Sequence, residues 1–145
     1  RILPDYEFRF IGPLKSENAI ERWKMLPNIV CTGTKAQAEL PALIAEMDCC
    51  LIPFVKNELT EAIYPLKINE YLAMGKPVVS TGFSDLSDFY SYISIADDAR
   101  GMLKAIQREL KGNNRMRIQK RIKFATMNSW ANRASQLAAF LEKAA

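Results

Sequence analysis

The fold of this chain is decided by residues 63–81, which read Ile63-Tyr64-Pro65-Leu66-Lys67-Ile68-Asn69-Glu70-Tyr71-Leu72-Ala73-Met74-Gly75-Lys76-Pro77-Val78-Val79-Ser80-Thr81. The pattern predicts a loop, a short helix that begins at Pro65 and ends at Gly75, and then a buried strand. Proline suits the first helical turn because an N–H there has no intrahelical acceptor, and glycine suits the left-handed position after a helix. We therefore expect a helix that is fixed at both ends.

The first turn of this helix is a candidate site for an anion. It is predicted to offer uncapped N–H groups, the positive end of the helix dipole and the cation of Lys67, a combination that favours phosphate. Glu70 follows three residues later, so the two side chains can share a face. A cation beside an acid that accepts from hydroxyls is what a nucleotide's diphosphate and ribose require. The alternatives are a solvated Lys67 and a surface Glu70 paired with Lys67 or Lys76.

Composition indicates an ordinary soluble globular domain. The chain has 145 residues, 49% hydrophobic and 25% charged, which fits one domain. No apolar run approaches the length of a membrane span, and no signal-peptide pattern opens the sequence. The abrupt start, Arg1-Ile2-Leu3-Pro4, leads us to expect a piece of a longer protein.

Histidine and cysteine limit the chemistry. Histidine is absent, which removes Ser-His and Cys-His relays and most zinc or iron sites, so no metal is expected. Cys31, Cys49 and Cys50 all fall in apolar, strand-like runs. An odd number of cysteines with an adjacent pair predicts reduced, buried thiols in the cytoplasm.

The net charge of +4 is concentrated in residues 100–123. Glu109 is the one acid among the cations there, which are Arg100, Lys104, Arg108, Lys111, Arg115, Arg117, Lys120, Arg121 and Lys123. The pattern predicts a solvated helical surface or, alternatively, a face attracted to an anionic membrane or acidic substrates. Nucleic acid is not expected, because no aromatic platform accompanies the charge.

Strands and helices are predicted to alternate along the chain, as in a parallel sheet with helices on both faces. The predicted strands are 6–11, 29–31, 49–52, 77–80 and 92–95. The predicted helices are 17–25, 40–47, the Pro65 helix, 84–91, one from Asp97 or Asp98 to Gly112, 115–125 and 130–143, with an exposed loop over 54–63. Ligands of such sheets bind outside the carboxyl ends of the strands, so Gly12, Thr32-Gly33, Pro53-Phe54 and Ser80-Thr81-Gly82 should lie along one edge.

Several segments together resemble the C-terminal, donor-binding Rossmann half of a GT-B glycosyltransferase of the large retaining family four type. These segments are Phe8–Gly12, Asn28–Gly33, Glu39–Phe54, Tyr64-Pro65-Leu66-Lys67 and Glu70–Val79. The match runs from about Tyr6 to the end of the chain. The fold that it implies is α/β, a Rossmann-like parallel sheet flanked by helices.

The resemblance implies a role for each matching position. Glu70 would hold the ribose hydroxyls, and N–H groups near Pro65, Leu66 and Lys67 would face the donor diphosphate. Tyr64 opens the same segment and would form a wall of the site, while Thr32, Gly33 and Gly12 would form the edge on which the base rests. Lys67 as a direct phosphate ligand is an inference from the helix terminus. No residue is assigned a catalytic role.

The sequence departs from the family pattern in two places. The first glutamate of the family's usual pair would fall at Ala62, and Glu61 lies one step out of register. The first strand and helix of the donor domain, and the whole acceptor half, have no counterpart here. We therefore expect residues 1–145 to be a nucleotide-sugar-binding fragment of a two-domain enzyme, with residues 129–145 as the closing helix that crosses to the partner domain.

The function expected from the resemblance is donor binding in a retaining glycosyltransferase of the hexosyltransferase type, active in surface polysaccharide biosynthesis. A UDP-sugar is the favoured donor, a glycan or lipid-linked molecule the acceptor, and no cofactor or metal is needed. The enzyme would be cytoplasmic or peripheral at the inner face of the membrane, and the isolated chain would be inactive. The alternatives are a non-catalytic flavodoxin- or receiver-like module and another GT-B enzyme, such as a nucleotide-sugar epimerase.

Overall fold

The computed structural model describes residues 5–14, 21–23 and 25–144. The chain divides into two compact units, Arg1–Leu43 and Ile44–Ala145. Each unit contains a parallel sheet, so the predicted α/β class with parallel strands is confirmed.

The first unit is built on two parallel strands, β1 (Phe8–Ile11) and β2 (Ile29–Gly33). Their register pairs Phe8 with Ile29 and then shifts between Phe10 and Ile11. The Phe10 ring stacks on Trp23 at 4.4 Å between ring centroids. Residues 21–23 are helical, and much of the helix predicted over 17–25 lies outside the described residues.

The second unit is built on three parallel strands in the order β3 (Cys50–Ile52), β4 (Val78–Ser80) and β5 (Ser94–Ile95). The central strand is fully buried, since Val78, Val79 and Ser80 are all 0% exposed. A continuous apolar run after Gly75 therefore produces the two-sided burial that is typical of a central parallel strand.

The helices are α1 (Leu40–Ala45), α2 (Glu58–Glu61), α3 (Leu66–Ala73), α4 (Ala99–Gly112), α5 (Arg115–Met127) and α6 (Trp130–Ala144). Single 3₁₀ turns cover Gln37–Glu39 and Ser87–Phe89. Side chains cap α4 and α5: Asp98 Oδ1 accepts from Gly101 N at 2.6 Å, and Asn114 Oδ1 accepts from Arg117 N at 3.0 Å. No helix in the described part of the chain is long and apolar enough to cross a bilayer.

The core of the second unit lies between α3, β4 and the segment that follows β4. Ile68 and Leu72 on α3 are fully buried, together with Phe83 and Phe89. Helix α3 also packs along α5, whose Ala125 is buried. The apolar spacing on α3 thus turns one face of this short helix inward and leaves Lys67 and Glu70 on the other.

Four local predictions are corrected by the structure. The loop predicted over 54–63 contains α2, because Asn57 and Thr60 form a reciprocal capping box. The helix predicted over 84–91 is only a 3₁₀ turn, and the strand predicted over 92–95 is only Ser94–Ile95. All three cysteines are free, but Cys31 is exposed, as is its neighbour Val30, so neither face of this strand is fully covered by the described residues.

Candidate functional site

The N-terminal end of α3 follows a buried proline. Pro65 is the N-cap, one position earlier than the helix proper, and its backbone lies at φ −81° and ψ 86°. Leu66 N donates to Tyr64 O at 3.0 Å and Ile68 N to Pro65 O at 3.0 Å. These two amides are therefore not uncapped, contrary to the sequence prediction. The Lys67 amide between them has no acceptor among the described residues.

Lys67 and Glu70 form an ion pair on the exposed face of α3. Lys67 Nζ donates to Glu70 Oε2 at 2.7 Å, and the two side chains are 53% and 47% exposed. This confirms that the two residues share a face. A pair this exposed contributes about 0–1 kcal/mol, so water or an anionic ligand can compete for either partner at small cost.

Tyr64 and Leu66 flank this end of the helix. The Tyr64 ring lies 5.6 Å from the buried ring of Phe89, which lies 5.7 Å from Phe124 on α5. The aromatic row holds one side of Tyr64, while 44% of the residue and 51% of Leu66 remain exposed. One side of Tyr64 is therefore packed against the core, while Tyr64 and Leu66 remain accessible to solvent on the other side.

The carboxyl ends of β3 and β4 are joined by hydrogen bonds. Thr81 N donates to Ile52 O at 3.1 Å, and the Thr81 hydroxyl donates to Phe54 O at 2.6 Å. Gly82 N donates to Asp97 Oδ1 at 2.7 Å. The strand-end segments predicted to lie together within the second unit, Pro53-Phe54 and Ser80-Thr81-Gly82, do so.

In the first unit, Gly12, Thr32 and Gly33 lie together at the ends of β1 and β2. Gly12 N donates to Gly33 O at 3.0 Å, and the Thr32 hydroxyl lies 3.4 Å from Phe10 O. Gly33 has φ +70°, a conformation that favours glycine. A Cβ built on Gly12 or Gly33 meets no atom of the described residues within 4 Å.

The predicted donor-binding residues therefore fall into two groups, one in each unit. The structure brings together Gly12, Thr32 and Gly33 in the first and Tyr64, Pro65, Leu66, Lys67 and Glu70 in the second. That both groups serve one ligand remains a prediction.

Glu61 closes the short helix α2, immediately before the position of the missing family glutamate. Its carboxylate lies 3.6 Å from Lys56 Nζ and is 52% exposed. Ala62 is the C-cap of the same helix. Among the described residues, no group of three or more carboxylates or cysteines is arranged to hold a metal ion.

Burial suppresses the ionisation of three side chains, Tyr71 on α3 and the thiols of Cys49 and Cys50. It is the main cause that raises the pKa of Tyr71 to about 12, with Cys50 and Glu70 adding to the effect. It also raises the pKa of Cys49 to about 12 and that of Cys50 to about 11. All three groups stay neutral at physiological pH, so none is a ready base or nucleophile.

Sequence reasoning missed a buried ion pair. The charge pattern predicts that Arg121 is solvated or faces a membrane, but it is 2% exposed and its Nη2 lies 2.8 Å from Oε2 of Glu109, itself 1% exposed. Arg117 Nη2 also donates to Glu109, at 3.0 Å. The available signal was Glu109 itself, a lone acid in a run of cations.

Two comparisons with known proteins agree with this architecture. The family described as "Glycosyl transferases group 1" matches residues 1–112. A protein of Bacillus subtilis (strain 168) named "Putative teichuronic acid biosynthesis glycosyltransferase TuaH" is 33% identical over 86 residues. That alignment covers 58% of this chain and 22% of the length of that protein. The family match extends over most of the sequence and includes α3, β4 and the strand-end segments, and it shows that the chain belongs to the group 1 glycosyltransferases.

Proposed function

We propose that this chain forms the donor-binding part of a retaining glycosyltransferase of the GT-B type. The protein would transfer a hexose from a nucleotide diphosphate sugar, with a UDP-sugar favoured, to a glycan or lipid-linked acceptor. The observation that carries the proposal is the open N-terminal end of α3, where the Lys67 amide and the exposed Lys67–Glu70 pair lie together. Family membership and the name of the Bacillus relative support surface polysaccharide biosynthesis as the setting.

The proposed chemistry exchanges one ion pair for two ligand contacts. Lys67 turns its ammonium to the diphosphate, beside its own amide and the positive end of the helix. Glu70, released from Lys67, accepts hydrogen bonds from the ribose hydroxyls. As the bond to the sugar breaks, charge grows on the leaving diphosphate, and a cation and amide already in position stabilise it without a bound metal. Tyr64 walls this end of the site, and Gly12, Thr32 and Gly33 receive the base.

Calorimetric titration of the full-length protein with UDP, GDP and ADP tests the proposal. One nucleotide should bind, and Glu70→Ala should weaken its binding by about 10- to 100-fold, the loss expected for hydrogen bonds to a charged acceptor. Asp88→Ala, which removes another exposed carboxylate of the second unit, is the matched control and should leave affinity unchanged. Absence of binding by all three nucleotides would refute donor binding, and an unaffected Glu70→Ala variant would refute the role of Glu70.

A partner domain that carries the acceptor site belongs to the same proposal. Its support is α6, whose large apolar side chains are exposed: Trp130 by 79%, Leu137 by 60%, Phe140 by 68% and Leu141 by 59%. Residues 129–145 would pack on that domain. The isolated chain should therefore have little or no transferase activity, and robust sugar transfer by it alone would contradict the proposal.

Contact with an anionic membrane surface on the cytoplasmic side is also proposed, through the exposed cations of residues 100–123. Arg108, Arg117 and Arg121 make hydrogen bonds within the unit, so the contact falls to Arg100, Lys104, Lys111, Arg115, Lys120 and Lys123, all exposed. Each cation near an anionic surface contributes about 1 kcal/mol. Sedimentation should show binding to phosphatidylserine vesicles that Lys104→Glu with Lys111→Glu reduces. Equal binding to neutral vesicles would exclude a charge-driven contact.

A further inference from the structure

The buried charges of the second unit form a closed network. Besides Glu109, Arg121 donates through Nη1 to Asn113 Oδ1 at 2.8 Å. Glu109 accepts in turn from the Ser94 hydroxyl at 2.6 Å and from Arg117 Nη2 at 3.0 Å. The network joins β5, α4 and α5, and each charge has several partners, as a buried charge requires.

One bond of this network reaches the end of α3. Arg121 Nη1 donates to the carbonyl oxygen of Gly75 at 3.3 Å. The same end is closed by a complete Schellman motif, in which Gly75 N donates to Leu72 O at 2.9 Å and Lys76 N to Tyr71 O at 3.0 Å. Arg121 thus places a positive charge at the negative end of the helix dipole.

Gly75, at the C-terminal end of α3, packs tightly against α5. Gly75 is buried with φ +69°, and a Cβ built on it would lie 2.7 Å from Cγ2 of Ile118 on α5. Helix α3 therefore cannot slide or turn on α5 at this end without breaking a bond to a buried charge.

A small tilt at the C-terminal end of α3 would displace its N-terminal end. Helix α3 has 8 residues, about 12 Å at the usual rise, so a tilt of about 5° displaces the far end by about 1 Å. A displacement of about 1 Å in a binding or catalytic group can cost about 100-fold in rate. Lys67 and Glu70 lie toward that far end, where a weak surface pair holds their side chains and the buried Pro65 and Ile68 hold the helix itself.

We propose that Arg121 is a positioning residue of the donor site: its guanidinium, held by Glu109, fixes the C-terminal end of α3 and thereby the placement of Lys67 and Glu70. The inference rests on the proposed function, since it matters only if α3 binds the donor. A buried ion pair is often no more stabilising than apolar residues of similar volume, so directional bonding to the Gly75 carbonyl is the better reason for a buried arginine here.

The test separates positioning from stability in the full-length protein. Arg121→Met leaves Glu109 buried without its main partner and should lower the melting temperature strongly. Arg121→Met with Glu109→Met removes both charges and should restore most of that loss. Positioning predicts that the double variant still binds UDP about tenfold more weakly or worse, with faster hydrogen exchange in Leu66–Ala73, because nothing then holds Gly75 O. Gln119→Met, at an exposed polar position of the same helix, is the control.

The outcomes are distinguishable. A stable double variant with native affinity for UDP overturns the positioning role and leaves the donor site in place. If the double variant does not fold, Arg121→Lys decides. Lysine keeps the charge but lacks the guanidinium that bonds Glu109 through one nitrogen and the Gly75 carbonyl through another. A loss of UDP affinity of at least about threefold supports positioning, and native affinity overturns it. If the native protein binds none of UDP, GDP and ADP, the proposed function fails and the inference fails with it.

Discussion

At its C-terminal end, α3 leads into the buried Gly75, the carbonyls of Tyr71 and Leu72 accept hydrogen bonds, and a guanidinium with 2% exposure donates to the Gly75 carbonyl. At its N-terminal end, the Lys67 amide lacks an acceptor among the described residues, and both members of the ion pair are about half exposed. Within this one helix, the protein supplies hydrogen-bond partners at the C-terminal end and leaves the N-terminal end accessible to a ligand. The difference separates residues that build the unit from residues that can bind a substrate.

Substitutions at the two ends of α3 should differ most in their effect on the free energy of unfolding. Arg121→Met should lower the free energy of unfolding by about 3–5 kcal/mol, because it strands Glu109 in the core. Lys67→Met should lower it by less than about 1 kcal/mol, because it removes only a surface pair. Urea unfolding followed by circular dichroism measures both values. Equal losses in the free energy of unfolding from the two variants would contradict the difference between the two ends of α3.

Gly75→Ala tests the packed end without changing a charge. The new Cβ would combine a left-handed backbone with a 2.7 Å approach to Ile118, at a cost of about 1–3 kcal/mol. Gly33→Ala is the comparison, since Gly33 has a similar φ of +70° but its Cβ would meet no atom of the described residues within 4 Å. If both substitutions cost the same in urea unfolding, the Gly75 contact is not as tight as described.

The smallest effect concerns the thiols. Their raised pKa values, about 12 for Cys49 and about 11 for Cys50 against 9.0, mean that the folded state favours the protonated form. This contribution to stability is complete below pH 9.0 and is lost as the pH rises through about 11–12.

Alkylation at about pH 8, followed by peptide mass spectrometry, reports the same burial. The exposed Cys31 should be modified first, and Cys49 and Cys50 should stay protected until the protein unfolds. Rapid labelling of Cys49 in the native protein would contradict the burial on which both effects depend.

The parallel α/β class and the two ends of α3 were predictable, because each leaves a local signal. Apolar runs mark β3 and β4, and the spacing of Lys67 and Glu70 places them on one face. The capping box that creates α2 is also present in the sequence as Asn57 and Thr60, but the polar composition of the segment favours a loop.

The role of Arg121 could not be predicted, because it depends on contacts between residues far apart in the chain. Its bond to Gly75 joins positions 46 residues apart, and no spacing rule on α5 distinguishes a buried arginine from its exposed neighbours. The predicted burial of Cys31 was wrong for a related reason: a short apolar run predicts a strand but does not show whether other elements will cover it. The amides of Leu66 and Ile68 were misjudged because a proline N-cap turned the preceding carbonyls toward them.

The exposure of Trp130 has an optical consequence. The chain contains 2 tryptophans, and Trp23 is stacked on Phe10 in the first unit, so Trp23→Phe would leave one indole, on α6. Its emission would be that of a fluorophore in water while the helix is bare, and it would shift to shorter wavelength once another surface covered it. In the Trp23→Phe variant, Trp130 would therefore report by its emission wavelength whether another surface covers the last helix.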